Sequence, residues 1–225
     1  ESLARMALAP EAAGLLGPTE RARARTLLAA IPGAPLEAAQ KELESAVQED
    51  PEYEPARVAL ARLAIRRGDA ERALATSTAS AGARSPELVA VNARALAALG
   101  RVLDALQLLD AALQKTPGEP RLLHAKGVVL QQSGKDAEAR KAFEDAAARD
   151  PAGWEPQLAL GRAYLRAGDL DRAARWLEQA AERGRGQPDA LAGLGDLELA
   201  RGNTSGAEKS FAAALAIDPE HARSH

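Results

Sequence analysis

Residues 160–169 read Leu160-Gly161-Arg162-Ala163-Tyr164-Leu165-Arg166-Ala167-Gly168-Asp169. The run closes on a glycine followed at once by an aspartate, a C-terminal helix cap beside an N-cap. The closing glycine recurs at Gly68, Gly100, Gly134, Gly168 and Gly202, at intervals of 32, 34, 34 and 34 residues. A period of this length marks a repeat array, in which each unit buries its apolar face only against a neighbour. The expected product is an elongated stack with a concave surface, and function is expected there, in binding.

Between the glycines the punctuation is equally regular. In the unit from Pro120 to Gly153 it falls on Gly127, Gly134, Ala139, Phe143, Ala146 and Pro151. One period on stand Gly161, Gly168, Ala173, Leu177 and Ala180, and a further period gives Gly195, Gly202, Ala207, Phe211, Ala214 and Pro219. Upstream, Ala105, Leu109, Ala112 and Pro117 surround Gly100 in register. The unit from Glu54 to Ser85 keeps Leu60, Gly68 and Ala73 but is two residues short, so its second helix is expected to end early, near Ser77 to Gly82. Small residues at the eighth and twentieth places let two antiparallel helices approach, and the twenty-fourth supplies a bulky filler. Asp150-Pro151 and Asp218-Pro219 end second helices, because proline disfavours helical geometry in the residue before it.

Composition agrees with an all-helical chain. Apolar residues make up 46% of 225 but aromatics only 3%, so the apolar content rests on Ala and Leu, both strong helix formers. The Ala/Arg/Leu bias also fits a GC-rich bacterial source. A net charge of −3 gives no global field toward nucleic acid or an anionic membrane. With no cysteine there is neither a disulfide framework nor a thiol nucleophile, and periplasm, outer-membrane periphery and cytoplasm all stay open. No run approaches the ~20 apolar residues of a membrane span.

The pattern resembles the tetratricopeptide (TPR) family, whose signature couples W-x2-L-G-x2-Y to a later A-x3-F and a closing Pro within 34 residues. Leu160 to Tyr164 carries the first half, and Ala139 to Phe143 and Ala207 to Phe211 carry the second. The family's tryptophan place holds Leu123, Gln157 and Leu191 instead, and Glu198 stands where Tyr is usual. The resemblance implies an all-α fold, a right-handed α-solenoid of antiparallel helix pairs. Five repeats are expected, at 54–85, 86–119, 120–153, 154–187 and 188–221. Residues 19–53 read as a degenerate helix pair capping the array, with Arg21, Arg23 and Arg25 on a face that would otherwise be core and Pro32 to Pro35 as its turn. Residues 1–18 read as an extension or short helix interrupted by Pro10, and 222–225 as a tail. Pro219 to Arg223 looks like the start of another repeat, which leaves the α-helix ending near Ile217 without a cap and makes self-association through Leu215 and Ile217 an expectation.

The resemblance also implies that first-helix residues line the inner wall. In the first repeat these are Val58, Arg62, Ile65 and Arg66, followed by Ala90 and Arg94. The third repeat adds Arg121, His124, Val128, Gln131 and Gln132, the fourth Leu158, Arg162, Leu165 and Arg166, and the fifth Asp189, Asp196 and Leu199. A row of guanidiniums interleaved with apolar residues suits a protein segment carrying carboxylates, which arginine binds in bidentate fashion. Glu87 and Glu155 share that face and compete for the same arginines within the chain. Chaperone-binding members use a Lys/Asn carboxylate clamp, and Val58, Arg62, Val91 and Arg121 stand in its place here, so that mode is not expected.

Other chemistry has little to stand on. His124, His221 and His225 lack the neighbours of a metal site, and no triad-like arrangement is apparent, so no catalytic, metal or cofactor residues are assigned. Gly184-Arg185-Gly186 has too few glycines and no lysine for a phosphate loop and reads as an inter-repeat turn. Asn203-Thr204-Ser205 forms a sequon to which no role is given. Tyr164, Phe143 and Phe211 read as core, and Trp154 and Trp176 as cover for turns. The functional expectation is a scaffold or adaptor that binds a protein segment and helps assemble a larger bacterial complex for secretion, pilus, envelope polysaccharide or motility. An RNA-binding array and the regulatory part of a larger enzyme remain alternatives. Groove positions lack the stacking aromatics that single-strand binding uses.

Overall fold

The computed structural model describes residues 16–31, 35–78 and 85–219. Among these there are twelve α-helices and no strand. They are α1 Pro18–Ala29, α2 Leu36–Glu49, α3 Glu54–Arg66, α4 Ala70–Thr78, α5 Pro86–Ala98, α6 Val102–Lys115, α7 Pro120–Gln132, α8 Asp136–Arg149, α9 Trp154–Arg166, α10 Leu170–Arg183, α11 Pro188–Ala200 and α12 Thr204–Ile217. The chain divides into two compact units between Ala112 and Leu113. In the first, α1 pairs with α2 and α3 with α4, and α3 also packs on α2 and α5. In the second, α7–α8, α9–α10 and α11–α12 are the pairs, and α9 packs on α8 as well as on its fellow first helices α7 and α11. Both α3 and α9 therefore touch their own partner, the preceding second helix and the next first helix.

One letter plays two physical roles in the stretch Leu160 to Asp169. Gly168 lies at φ +75°, and its four ladder counterparts lie between +76° and +78°. That left-handed conformation strains any residue with a Cβ, and it turns the chain back after each first helix. Asp169 then caps α10 by accepting from the Arg172 amide at 3.0 Å, and Asp69 does the same for Arg72 at 3.0 Å. Gly161, by contrast, is there for space. A methyl on it would lie 2.6 Å from Leu177 Cγ, on Gly127 2.4 Å from Phe143 Cε1, and on Gly195 2.5 Å from Phe211 Cε1. The eighth place yields room to the twenty-fourth, so paired helices pack with backbone against bulky side chain.

The expected core residues Ala139, Phe143, Ala146, Ala173, Leu177, Ala180, Ala207 and Ala214 are buried, as are Ala105 and Leu109. Phe211 is half-exposed, because no further pair covers it among the described residues. Removing such side chains from water at about 25 cal/mol per Å² is what holds a helix pair to its neighbours. Second helices end where expected, α8 at Arg149 and α12 at Ile217, each before an Asp-Pro step. The expected early end of α4 falls partly on residues 79–84, and the N-terminal helix on 1–15. Both lie outside the described residues.

In α1 the arginines do not abut a core. Ala22 and Ala24 are buried, while Arg25 donates to Glu49 and Glu42 on α2 at 2.9 Å each, and Arg21 lies 3.4 Å from Glu49. Burial opposes the charge on Arg25, but the hydrogen bonds and negative charges of Glu49 and Glu42 together outweigh it and raise its pKa. Ion pairs thus stand in for part of the α1–α2 core.

Candidate functional site

The first-helix face of the first unit carries Arg62 and Arg66, both exposed, with Ile65 and Arg94 half-buried. Arg62 Nη2 meets Glu87 Oε1 at 2.8 Å, which joins α3 to the next first helix, α5. Val58 lies elsewhere than on the solvent wall. It is 6% exposed and packs with Ala61, Leu88 and Val91 in the seam between those two helices. Just before it on α3, Arg57 is 1% exposed and donates from Nε and Nη2 to the Thr76 carbonyl at 3.1 and 2.9 Å, while its Nη1 has no hydrogen-bond partner. Sequence reading passed over this residue. It occupies the family's tryptophan place, and that register was the available signal.

In the second unit α7, α9 and α11 lie side by side, which brings Gln131, Leu165 and Leu199 to corresponding places on successive helices. Gln131, Leu165 and Val128 are half-buried, Arg121 and Arg166 exposed, and Leu199 is 52% exposed. Leu158 is 5% exposed and reaches to within 2.6 Å of where a methyl on Gly193 would lie, so it too belongs to the seam between first helices. His124, half-buried, has its ring 5.7 Å from that of Phe143. Arg162 sits between carboxylates of the next first helix, 3.7 Å from Asp189 and 3.5 Å from Asp196, and donates to the Asp189 carbonyl at 3.2 Å. Arg166 lies 4.0 Å from Asp136. Arg62, Arg162 and Arg166 are therefore already engaged with acidic side chains of this chain, each pair bridging two elements. Half-buried pairs such as Arg162–Asp196 hold more firmly than exposed ones, which contribute ~0–1 kcal/mol.

The remaining candidates have structural employment. Tyr164 donates to Glu144 at 2.8 Å, with Arg140 and Arg172 at 5.7 and 5.5 Å from its ring centre. Burial and the adjacent Glu144 carboxylate push its phenol above the usual range, against a smaller opposing effect of Arg172. Trp154 lies against Gly184, where a methyl would meet its ring at 3.0 Å, and so covers the turn before α11. Asn203 of the sequon is the N-cap of α12 and accepts from the Gly206 amide at 3.1 Å. His221 and His225 lie outside the described residues. Among the described residues no cluster of metal-ligating side chains occurs, and no helix is long and apolar enough to cross a membrane.

The first unit also holds a cavity of about 300 Å³ that sequence reading did not reach, lined by Gln40, Leu60, Leu63, Ala64, Arg67, Asp69 and Arg72. Its leucines and Ala64 are buried, whereas Arg67, Asp69 and Arg72 form an exposed rim.

Known proteins repeat this architecture. A tetratricopeptide repeat model matches residues 58–120, 90–153, 124–188 and 158–222, and a second model of that description matches 36–77. Tetratricopeptide repeat protein 33 of Mus musculus is 40% identical over 75 residues, which take in 33% of this chain and 29% of the mouse protein. The chain thus spans under a third of that relative's length. Among solved structures, a human IFIT1 dimer with PPP-AAAA superposes with a TM-score of 0.66 at 20% identity, over 89% of this chain and 50% of that one. The thermophilic TPR protein TTC0263 of Thermus thermophilus gives a TM-score of 0.54 at 21% identity, over 91% of each chain. At these identities the likeness concerns the fold. The family models run through both units and nearly the whole described chain, and the protein belongs to the tetratricopeptide repeat family.

Proposed function

We propose that this chain is a scaffold that holds a segment of a partner protein against its first-helix faces. Tetratricopeptide arrays are in general interaction scaffolds, and the repeat matches support that class. The observation that carries the reading is the surface of α7, α9 and α11. There Leu165 and the 52%-exposed Leu199 stand beside Arg162, whose guanidinium is held by Asp189 and Asp196. Exposed apolar side chains rimmed by charge are characteristic of interaction sites. A partner segment with apolar side chains for the leucines and a carboxylate for an arginine edge fits that surface. Because Arg62, Arg162 and Arg166 are already paired, they orient the partner more than they attract it. Assembly of a larger bacterial complex is the setting we assign to it.

The test is capture of a cross-linked partner by the intact chain, repeated with Leu165→Lys plus Leu199→Lys and with Arg62, Arg94 and Arg162 changed to Glu. Loss of one and the same partner in the leucine variant, and its weakening in the arginine variant, supports the reading. Undiminished recovery in both variants, with folding verified by circular dichroism, excludes it. Retention on single-stranded RNA that falls steeply with salt would favour an RNA-binding array instead.

A further inference from the structure

The two units contain a local structural correspondence at a displacement of one hundred residues. α2 at Leu36–Glu49 and α3 at Glu54–Arg66 in the first unit match α8 at Asp136–Arg149 and α9 at Trp154–Arg166 in the second, residue for residue. Gly68-Asp69 and Arg72 match Gly168-Asp169 and Arg172, and Glu44 matches Glu144. The correspondence fails at a telling place: Ala64 stands where the second unit has Tyr164.

In the second unit that tyrosine fills a defined slot. Its hydroxyl donates to Glu144 Oε1, and the guanidiniums of Arg140 and Arg172 lie 5.7 and 5.5 Å from its ring centre. In the first unit the counterparts Gln40, Ala64 and Arg72 line the cavity of about 300 Å³, a size at the lower end of ligand pockets. Glu44 Oε1, the counterpart of the phenol's acceptor, stands behind two of the lining side chains, taking hydrogen bonds from Gln40 Nε2 at 2.6 Å and from Arg72. A carboxylate has about four lone-pair sites, so a further donor can be accepted there. The second cation, lost where Gln40 replaces Arg140, is restored by Arg67 in place of Ala167, and Arg67 Nη1 donates to Gln40 Oε1 at 2.9 Å. Leu63, in place of Ala163, extends the buried apolar floor.

We infer that this cavity is a receptor site for a tyrosine side chain presented by a partner protein. The ring would lie on Leu60, Leu63 and Ala64, the rim guanidiniums of Arg67 and Arg72 would engage its π-face, and the hydroxyl would donate to Glu44. The contacts with Glu44 and Arg72 have their precedent in how Glu144 and Arg172 hold Tyr164, and cation–π attraction strengthens as the site loses water. The site lies apart from the first-helix faces proposed above and stands or falls independently of them.

The test is an amide ¹H–¹⁵N NMR titration of the full chain with N-acetyl-tyrosinamide, N-acetyl-phenylalaninamide and N-acetyl-leucinamide. Saturable shifts at Ala64, Gly68 and Asp69 are expected for the tyrosine amide, with a Kd on the order of 1 mM. Binding should be about tenfold weaker for the leucine amide, and Glu44→Gln should narrow the gap between tyrosine and phenylalanine. Ala64→Tyr, which copies the second unit, should abolish the shifts and raise the Tm. Should that variant not fold, Ala64→Met fills the same space and must give the same loss. Absence of saturable shifts in the parent chain, their persistence in the filled variant, or equal binding of the leucine amide would each overturn the assignment.

Discussion

Phe143 rests its ring edge on the bare backbone of Gly127, so closely that a methyl there would lie 2.4 Å from Cε1. The ring is 1% exposed and has nowhere to retreat. Gly127→Ala is therefore expected to cost about 1–3 kcal/mol by overpacking, read as a lowered denaturant midpoint. Adding Phe143→Leu should recover part of that loss, because Ala93 and Leu109 occupy the same two repeat places and are both fully buried. A double variant no better than the single one would show that the clash is not what limits the site.

Gly168 tests the other use of glycine. Nothing lies within 4 Å of where its methyl would go, so only its φ of +75° opposes substitution. Gly168→Ala should cost about 1 kcal/mol in a urea melt, and no change in the partner helix should relieve it.

Buried Arg57 makes a prediction that runs against intuition. Its guanidinium has two bonds to one carbonyl, Nη1 is unsatisfied, and desolvating such a charge is costly. Arg57→Met should lie within about 1.5 kcal/mol of the parent chain, whereas Arg57→Ala should lose about 2–5 kcal/mol through its cavity. Arg57→Lys, which keeps the charge but cannot fork to Thr76, should be less stable than the methionine variant. Urea melts of the three variants would rank them.

The two first-helix arginines should separate by burial. The Arg62 side chain is 49% exposed and Arg162 19%. Arg62→Ala is expected to change stability by no more than about 1 kcal/mol. Arg162→Ala should cost more, because it leaves Asp196, itself 22% exposed, without its cation. Thermal melts at low and high salt would separate the two, since only the first effect should fade as salt rises.

Tyr164 sets an alkaline limit. Its phenol titrates above the ordinary value in the folded chain, so its contribution is complete below the unfolded value near 10 and is lost as pH rises through the folded one. The Tm of the parent chain should fall more steeply above about pH 10 than that of Tyr164→Phe. Parallel curves would remove Tyr164 as the cause.

Periodicity made the helix order legible because the turns after α3, α5, α7, α9 and α11 need the same left-handed glycine. The distinction between Gly161 and Gly168 was legible too, from the bulky residues sixteen places after the first and the aspartate directly after the second. The site was read less completely. Family register located Arg62 and Arg162, and the shared face of Glu87 pointed to pairing within the chain. Register alone could not tell that Val58 and Leu158 are closed over by the following first helix, since that depends on how near two backbones come. Nor could it show that Ala64 leaves a cavity, because small residues are everywhere in this chain and most of them are filled by a neighbour.

The acid partners of Arg62 and Arg162 belong to the next helix pair along, Glu87 for one and Asp189 with Asp196 for the other. The repeats are consequently not interchangeable parts. Excising residues 86–119 would set Arg121 in the place of Glu87 beside Arg62, so the order of the modules is written in charge at that joint.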